Sequence, residues 1–181
     1  TNLLGDTIQK IAKEKAGIIK SNTPIIIGRN QEEIKPIFQN IANEKKAPLK
    51  YATAHNFTAD LKGNYQKENI NTVVTAISEI QKQGWKITDK NIKDGLLNTI
   101  KNTGLLGRWQ ILGQNPLIIC DTGHNEDGIK VVFNQLKQTP HKNLHVVFGA
   151  VNDKDLDSIL NLLPKNAKYY FCKPNILRGL D

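Results

Sequence analysis

Residues 117–128, Leu-Ile-Ile-Cys-Asp-Thr-Gly-His-Asn-Glu-Asp-Gly, constrain the fold of this chain more than any other stretch. An apolar run leads into Asp121, a glycine turn follows, and a segment with helical spacing comes next. The apolar run predicts a buried strand, and the stretch as a whole predicts a strand-to-helix loop. Because α/β proteins bind ligands at the carboxyl ends of their strands, we expect this loop to line a ligand site.

The composition is that of an ordinary soluble chain of one large or two small domains, with 181 residues, 39% hydrophobic and 23% charged. The net charge of +8 comes from scattered lysines, so we expect no nucleic-acid partner. No apolar run approaches the roughly 18 residues of a membrane span, and no signal-peptide pattern is present, which predicts a cytoplasmic protein without membrane association. Cys120 and Cys172 lack metal-ligand spacing and are expected to be buried free thiols.

The first hundred residues alternate helical and strand patterns. Strand, helix and strand at this spacing form a parallel α/β signature. Capping residues, apolar stripes and terminal glycines predict helices over residues 6–16, 31–46, 63–84 and 88–100, and strands over residues 23–28 and 48–52.

The segment 101–107, Lys-Asn-Thr-Gly-Leu-Leu-Gly, is the predicted domain boundary, because two glycines and a change of rhythm precede Arg108. It separates a domain of residues 1–103 from one of residues 104–181. The second part predicts a small, open Rossmann-like sheet that lacks its later strands. Its predicted strands are 109–112, 117–121, 143–148 and 168–172, and its predicted helices are 125–138 and 154–163.

One pair of amides and one lysine stand out in the first part of the chain. Gln66 and Asn69 lie three residues apart, so both should point from one side of the first helical turn. Paired amides can read a nucleobase edge, whereas local capping is the simpler interpretation of the spacing alone. Lys15 lies on the flank of an apolar stripe, where a lysine snorkelling at a helix C-terminus is the simple interpretation.

A second polar cluster lies around residues 117–128. Arg108 offers a planar fork for phosphate oxygens. Asp121 can accept hydrogen bonds from ribose hydroxyls, or it can cap the following helix. His124, followed by Asn125, lies next to a helix N-terminus and can join in binding an anion. Asp153, after the strand that ends at Gly149, is expected to cap the next helix. No GxGxxG motif and no P-loop occurs in these 181 residues.

Taken together and in order, these phrases resemble the folylpolyglutamate synthase/dihydrofolate synthase family of the Mur-ligase-like superfamily. The departures from the family pattern are Leu106, Thr122 and Glu126. The matching phrases are Leu3-Leu-Gly-Asp-Thr7, Ile11-Ala-Lys-Glu-Lys-Ala-Gly-Ile18, Gly63-Asn-Tyr-Gln-Lys-Glu-Asn69, Gly107-Arg-Trp-Gln110, Asp121-Thr-Gly-His-Asn125, and Phe148-Gly with Asp153-Lys-Asp155.

The resemblance implies a role for each singled-out residue and a two-part fold. It implies the C-terminal part of a P-loop-type ATPase domain, followed by a small, truncated Rossmann-like Mur ligase C-terminal domain. Lys15 would be carbamylated and help hold Mg²⁺ near the ATP γ-phosphate, since a carbamate is a carboxylate-like oxygen donor. Gln66 and Asn69 would face the adenine. Asp121 would take the ribose, and Arg108 and His124 would lie by the phosphates.

The implied reaction adds L-glutamate to dihydropteroate or folates with ATP and Mg²⁺. The acceptor carboxylate takes the γ-phosphate, and the amine of L-glutamate captures the acyl phosphate to form an amide. The resemblance implies that the family's P-loop would precede Thr1, so the 181-residue piece alone is expected to be inactive. A monomer that acts on small molecules is expected.

Two alternatives stay open at this level. A peptidoglycan-precursor amino-acid ligase uses the same ATP chemistry with another acceptor, and a non-catalytic nucleotide-binding module would bind ATP without turnover. Within the folate family, the sequence does not decide between dihydrofolate synthesis, glutamate-tail extension and both.

Overall fold

The computed structural model describes residues 7–151, 156–173, 175, 177, 179 and 180. The chain divides into two compact units, one of residues 2–106 and one of residues 107–181. Each unit mixes helices with short strands, as the predicted α/β class requires. Asn152, Asp153 and Asp155, including the proposed cap at Asp153, lie outside the described residues.

The first unit begins with a small parallel α/β layer. Helix α1 (Ile8–Ala16) starts at Thr7, whose hydroxyl accepts a hydrogen bond from the Lys10 amide, and it ends at Gly17 as the sequence predicts. Helix α2 (Lys35–Glu44) connects strands β1 (Ile25–Ile27) and β2 (Leu49–Tyr51), which pair in parallel. The buried core of this layer consists of Ala12, Ala16, Ile19, Phe38, Ala42 and Ala47.

A long helix and two short helices complete the first unit: α3 (Gln66–Lys82), α4 (Asp89–Leu97) and α5 (Thr99–Thr103). The prediction of one helix from Thr88 through Ile100 is wrong, because the helix is interrupted at Asn98, which ends α4 and precedes α5. Asp60 stabilises this interruption through hydrogen bonds to both helices. Its Oδ2 accepts from the Ile100 amide at 2.8 Å, and its own amide donates to the Leu96 carbonyl at 3.1 Å.

The second unit starts with a hairpin of strands β3 (Gln110–Gln114) and β4 (Leu117–Cys120), which pair antiparallel. The prediction that residues 117–120 form a buried strand is wrong, since Leu117 is 46% and Ile118 48% exposed and Ile119 and Cys120 are only half-buried. Among the described strands, β4 pairs only with β3. An apolar run does not show how many other strands pair with a strand. The burial of the β4 side chains therefore could not be predicted from the run alone.

The rest of the second unit is built around helix α6 (Glu126–Lys137). Strands β5 (His145–Phe148) and β6 (Lys168–Phe171) pair in parallel, with helix α7 (Leu156–Leu160) between them in the chain. Their core is the buried cluster of Ile129, Phe133 and Ile159, against which Val146 and Phe148 pack. The carboxyl end of β4 leads into the loop that the sequence predicts to line a ligand site.

Both cysteines are free thiols, but the expectation that both are buried is wrong. Cys172 follows β6 and is exposed, whereas Cys120 is half-buried at the end of β4. A strand-like apolar run ends at each thiol, and the pattern does not report what covers the strand end. Among the residues with described positions, no helix is long and apolar enough to cross a membrane.

Candidate functional site

The turn of residues 107–109 is joined to the loop that follows β4. The Thr122 amide donates to the Gly107 carbonyl at 2.9 Å, and the Trp109 amide donates to Oδ2 of Asp121 at 2.7 Å. Trp109 is buried and has a positive φ of 49°, an uncommon conformation for an aromatic residue. These two hydrogen bonds hold the strained turn in place and bring Arg108 next to the loop.

The Asp121 carboxylate is a structural element of this loop. Its Oδ2 accepts from the Trp109 amide, and its Oδ1 accepts from the Gly123 amide at 2.8 Å. Each carboxylate oxygen has two lone pairs, so each can accept more than one hydrogen bond. The alternative that Asp121 caps α6 is wrong, because Oδ1 of Asn125 accepts from the Gly128 amide at 2.8 Å and provides the cap.

His124 is oriented by the same loop. Its Nδ1 lies 3.0 Å from the Thr122 carbonyl oxygen, which can only accept a hydrogen bond, so Nδ1 carries the proton in this contact. The neutral ring then presents Nε2 as an acceptor, and the protonated ring presents a second N–H donor. The ring is exposed, so a ligand can reach it.

A small cavity lies beside His124, at the carboxyl ends of β4 and β5. Its volume of about 120 Å³ is well below the roughly 300–1,000 Å³ of complete small-molecule sites, so it can enclose only part of a ligand. Most of its wall is apolar or glycine, with His124 as its ionisable residue. The lining residues are Gly123, His124, Ile129, Phe148, Gly149, Ala150, Val151 and Ile159.

The first turn of α6 is acidic, because it contains Glu126 and Asp127. These carboxylates stabilise the helix through its dipole, but they repel a phosphate placed at the helix N-terminus. The expectation that the N-terminus of this helix helps to bind an anion is therefore weakened in this chain.

The Arg108 side chain is anchored to the loop by hydrogen bonds. Its Nη1 donates to the Thr122 hydroxyl and to the Gly107 carbonyl, the latter at 3.3 Å. The guanidinium has five N–H donors, so this anchoring leaves donors for a phosphate or a carboxylate. Sequence reasoning singled out Arg108 but gave Thr122 no role, because 14 residues separate the two and no local spacing connects them.

Gln66 and Asn69, in the first unit, form a pair of their own. Nδ2 of Asn69 donates to Oε1 of Gln66 at 2.8 Å, which confirms that both point from one side of the first turn of α3. No side chain caps α3, so local capping does not explain the pair. Gln66 is only 6% exposed, and the pair leaves Nε2 of Gln66 and Oδ1 of Asn69 as one donor and one acceptor for other partners.

Lys15 lies in the last turn of α1 and is exposed. Among the described residues, no group of three or more His, Cys, Asp or Glu side chains could hold a metal ion. A carbamate on Lys15 would supply only part of a magnesium site. Arg108, Asp121 and His124 form one cluster, and Gln66 with Asn69 forms another.

Comparison with known proteins identifies the second unit. Residues 107–181 match the Mur ligase, glutamate ligase domain. The dihydrofolate synthase/folylpolyglutamate synthase of Escherichia coli strain K12 is 29% identical over 190 residues, which covers 96% of this chain and 43% of that protein. The chain therefore spans less than half the length of this relative.

Solved structures agree in fold. A folylpolyglutamate synthase in complex with AMPPCP and folate superimposes with a TM-score of 0.80 at 26% identity, covering 96% of this chain and 48% of the other. A bifunctional folylpolyglutamate synthase/dihydrofolate synthase with Mn, AMPPNP and L-glutamate bound gives a TM-score of 0.75 at 23% identity, covering 99% and 46%. The second likeness concerns the fold alone.

Proposed function

We propose that this chain is part of a folylpolyglutamate synthase/dihydrofolate synthase, an ATP-dependent ligase that adds L-glutamate to dihydropteroate, folates or both; the match to the glutamate ligase domain and the likeness to these enzymes support the proposal. One observation carries the proposal. A cation, a carboxylate and an imidazole, on Arg108, Asp121 and His124, converge at the carboxyl end of β4 in the glutamate ligase domain. An arrangement of this kind suits a nucleotide, which offers phosphates and ribose hydroxyls.

The proposed roles follow from the donors and acceptors of each side chain. The Arg108 guanidinium and the His124 Nε2–H, when the ring is protonated, neutralise phosphate oxygens as charge moves onto them. The remaining lone pairs of Asp121 accept from ribose hydroxyls. In the other unit, the Gln66–Asn69 pair is proposed to contact the adenine, because one donor and one acceptor complement the edge of that base.

The proposed chemistry is an attack by the acceptor carboxylate on the γ-phosphate, which gives an acyl phosphate and ADP. The L-glutamate amine then attacks the acyl carbon, and phosphate leaves. In this scheme the residues of this chain bind and orient the nucleotide and offset its charge. The amine gives up its proton as the amide forms.

A divalent cation, Mg²⁺ in the cell, is proposed as a partner of ATP, because one of the related proteins holds Mn together with an ATP analogue. Lys15, as a carbamate, is proposed as one ligand. This assignment has a direct test that does not depend on activity. Intact-mass spectrometry in bicarbonate buffer should show a 44 Da adduct (the mass of CO₂) that is lost in Lys15→Arg but retained in Lys13→Arg.

An amide-forming assay with the complete gene product tests the proposal. Purified protein is incubated with ATP, Mg²⁺ and radiolabelled L-glutamate, with dihydropteroate, a folate or a UDP-muramoyl acceptor in parallel reactions. We expect label in the pterin products and ADP in equal amount. Label on the muramoyl acceptor alone supports the peptidoglycan alternative, and nucleotide binding without any labelled product supports the non-catalytic module.

A further inference from the structure

Thr122 occupies the centre of the contacts that orient the candidate site. Its hydroxyl donates to the Gly107 carbonyl at 3.1 Å and accepts from Nη1 of Arg108. Its amide donates to the same Gly107 carbonyl, and its own carbonyl accepts from Nδ1 of His124 at 3.0 Å. One residue therefore contacts both the arginine and the histidine of the cluster.

The Thr122 hydroxyl can make both of these hydrogen bonds at once. A hydroxyl has one O–H donor and two lone pairs. Donation to Gly107 fixes the O–H direction, and the lone pairs are then turned to the guanidinium. A hydrogen bond from a charged donor is stronger than a neutral one, so the contact restrains an otherwise flexible side chain.

The methyl group of Thr122 is also fitted to the turn. A Cβ placed on Gly107 would lie 2.4 Å from Cγ2 of Thr122, so the side chain packs directly against the glycine. Gly107 is buried and has a φ of +69°, and the methyl contact and the hydroxyl bonds together fix the position of Thr122 beside the turn. Glycine or alanine at position 122 would provide neither the hydroxyl nor the Cγ2 methyl group.

We infer that Thr122 is a positioning residue that holds the Arg108 guanidinium in its phosphate-binding orientation before a nucleotide arrives. The inference rests on the proposed nucleotide role of Arg108. A restrained arginine loses less conformational entropy when it binds a ligand than a free one does. The entropy cost of immobilising one long side chain corresponds to a factor of about 3 to 10 in affinity.

Two substitutions separate the hydroxyl from the methyl group. Thr122→Val keeps the shape and removes the hydroxyl, whereas Thr122→Ser keeps the hydroxyl and removes the methyl. Because Thr122 is exposed, neither change threatens the fold. Thr139→Val is the matched control, since its hydroxyl donates to the Gln135 carbonyl at 3.0 Å and contacts no arginine in the described structure.

Calorimetry of the protein with the ATP analogue AMPPCP and Mg²⁺ measures the predicted effect. We expect Thr122→Val to raise the Kd about 3- to 10-fold. Thr122→Ser and Thr139→Val should each keep the Kd of the wild type. In an Arg108→Ala background, Thr122→Val should change the Kd no further, because the two residues act as one unit. Equal Kd values for wild type and Thr122→Val, or additive effects in the double variant, would overturn the inference.

Side-chain NMR of the Arg108 guanidinium, without nucleotide, separates this inference from the proposed function. We expect a restrained Nε–Hε group in the wild type and in Thr122→Ser, and a mobile one in Thr122→Val. If the wild type binds no nucleotide but the restraint is lost in Thr122→Val, the proposed function fails while the positioning role holds. Unchanged restraint in Thr122→Val contradicts the positioning role whatever the protein binds.

Discussion

At the scale of single residues, the Asp121 carboxylate holds the fold of its loop in addition to its proposed role in binding ribose. Both of its oxygens accept backbone N–H groups, from Trp109 and from Gly123. Replacing Asp121 therefore disturbs the turn of residues 107–109 as well as any bound ribose, and loss of activity in such a variant would be ambiguous. Arg108 and His124 contact the loop through fewer atoms and are the cleaner positions to replace.

Asn125→Ala tests the assignment of the α6 cap. The Oδ1 of Asn125 accepts from the Gly128 amide, and loss of such a cap costs about 1 kcal/mol of unfolding free energy. Urea denaturation should show this loss for Asn125→Ala and little loss for Asn125→Asp, which keeps the acceptor. Equal stability of Asn125→Ala and wild type would show that the cap lies elsewhere.

Glu79 provides a pH-dependent test. Hydrogen bonds from Lys50, at 2.6 Å, and then from Lys82, at 2.7 Å, hold the pKa of the Glu79 carboxyl below its ordinary value. A lowered folded-state pKa gives stability that is complete above the unfolded pKa and is lost as the pH falls through the folded one. The Tm difference between wild type and Glu79→Gln should therefore be constant near neutral pH and shrink below about pH 4.

The control for this experiment is Glu44→Gln, which removes an exposed carboxylate at the end of α2. Its Tm difference from wild type should depend less on pH than that of Glu79→Gln. A pH-independent difference for Glu79→Gln would mean that its ion pairs with the two lysines contribute nothing to stability.

At the scale of elements, the sequence predicts what is encoded locally. Helix α1 follows from a capping residue and an apolar stripe; the cap is Thr7, and Ala12 and Ala16 of the stripe are buried. The break after α4 was missed because it depends on Asp60, which contacts Ile100 across 40 residues. The exposure of Leu117 was missed because it depends on how many strands pair with β4. For the candidate site, the sequence predicts the residue types and the proximity of Gln66 to Asn69, because these depend on local spacing. It does not predict the contact between Arg108 and Thr122, because that contact is tertiary.

Gly107→Ala tests the close fit between the 107–109 turn and the loop. Gly104 is a matched control, because its φ of +68° equals that of Gly107 within a degree and a Cβ there would meet nothing within 4 Å. Both alanine variants should lose about 1–2 kcal/mol for the left-handed conformation, and Gly107→Ala should lose more because its Cβ collides with Cγ2 of Thr122.

Adding Thr122→Ser to Gly107→Ala removes that methyl group and should recover the extra loss but not the conformational cost. Thermal or urea unfolding of the wild type and the three variants measures both quantities. Equal destabilisation by the two glycine substitutions would contradict the proposed packing between Gly107 and Thr122.

At the scale of the whole molecule, each unit has its own buried cluster and its own candidate contacts. The clusters around Ala12 and Ile70 belong to the unit of residues 2–106, and the cluster around Phe133 belongs to the unit of residues 107–181. The cavity beside His124 encloses only part of a ligand. The proposed ligase therefore needs more surface than this cavity provides, and the proposed role of residues 107–181 is to supply Arg108, Asp121 and His124.

Steady-state kinetics of the complete gene product test the central claim that Arg108 contacts the nucleotide. Arg108→Ala is compared with Arg29→Ala, a matched removal of an arginine whose Nη2 pairs with Glu68 at 2.7 Å. Loss of a charged contact that forms with the transition state should lower kcat/KM for ATP by about 10²–10³-fold in Arg108→Ala, while Arg29→Ala stays close to wild type. Wild-type kcat/KM for ATP in Arg108→Ala would contradict the account.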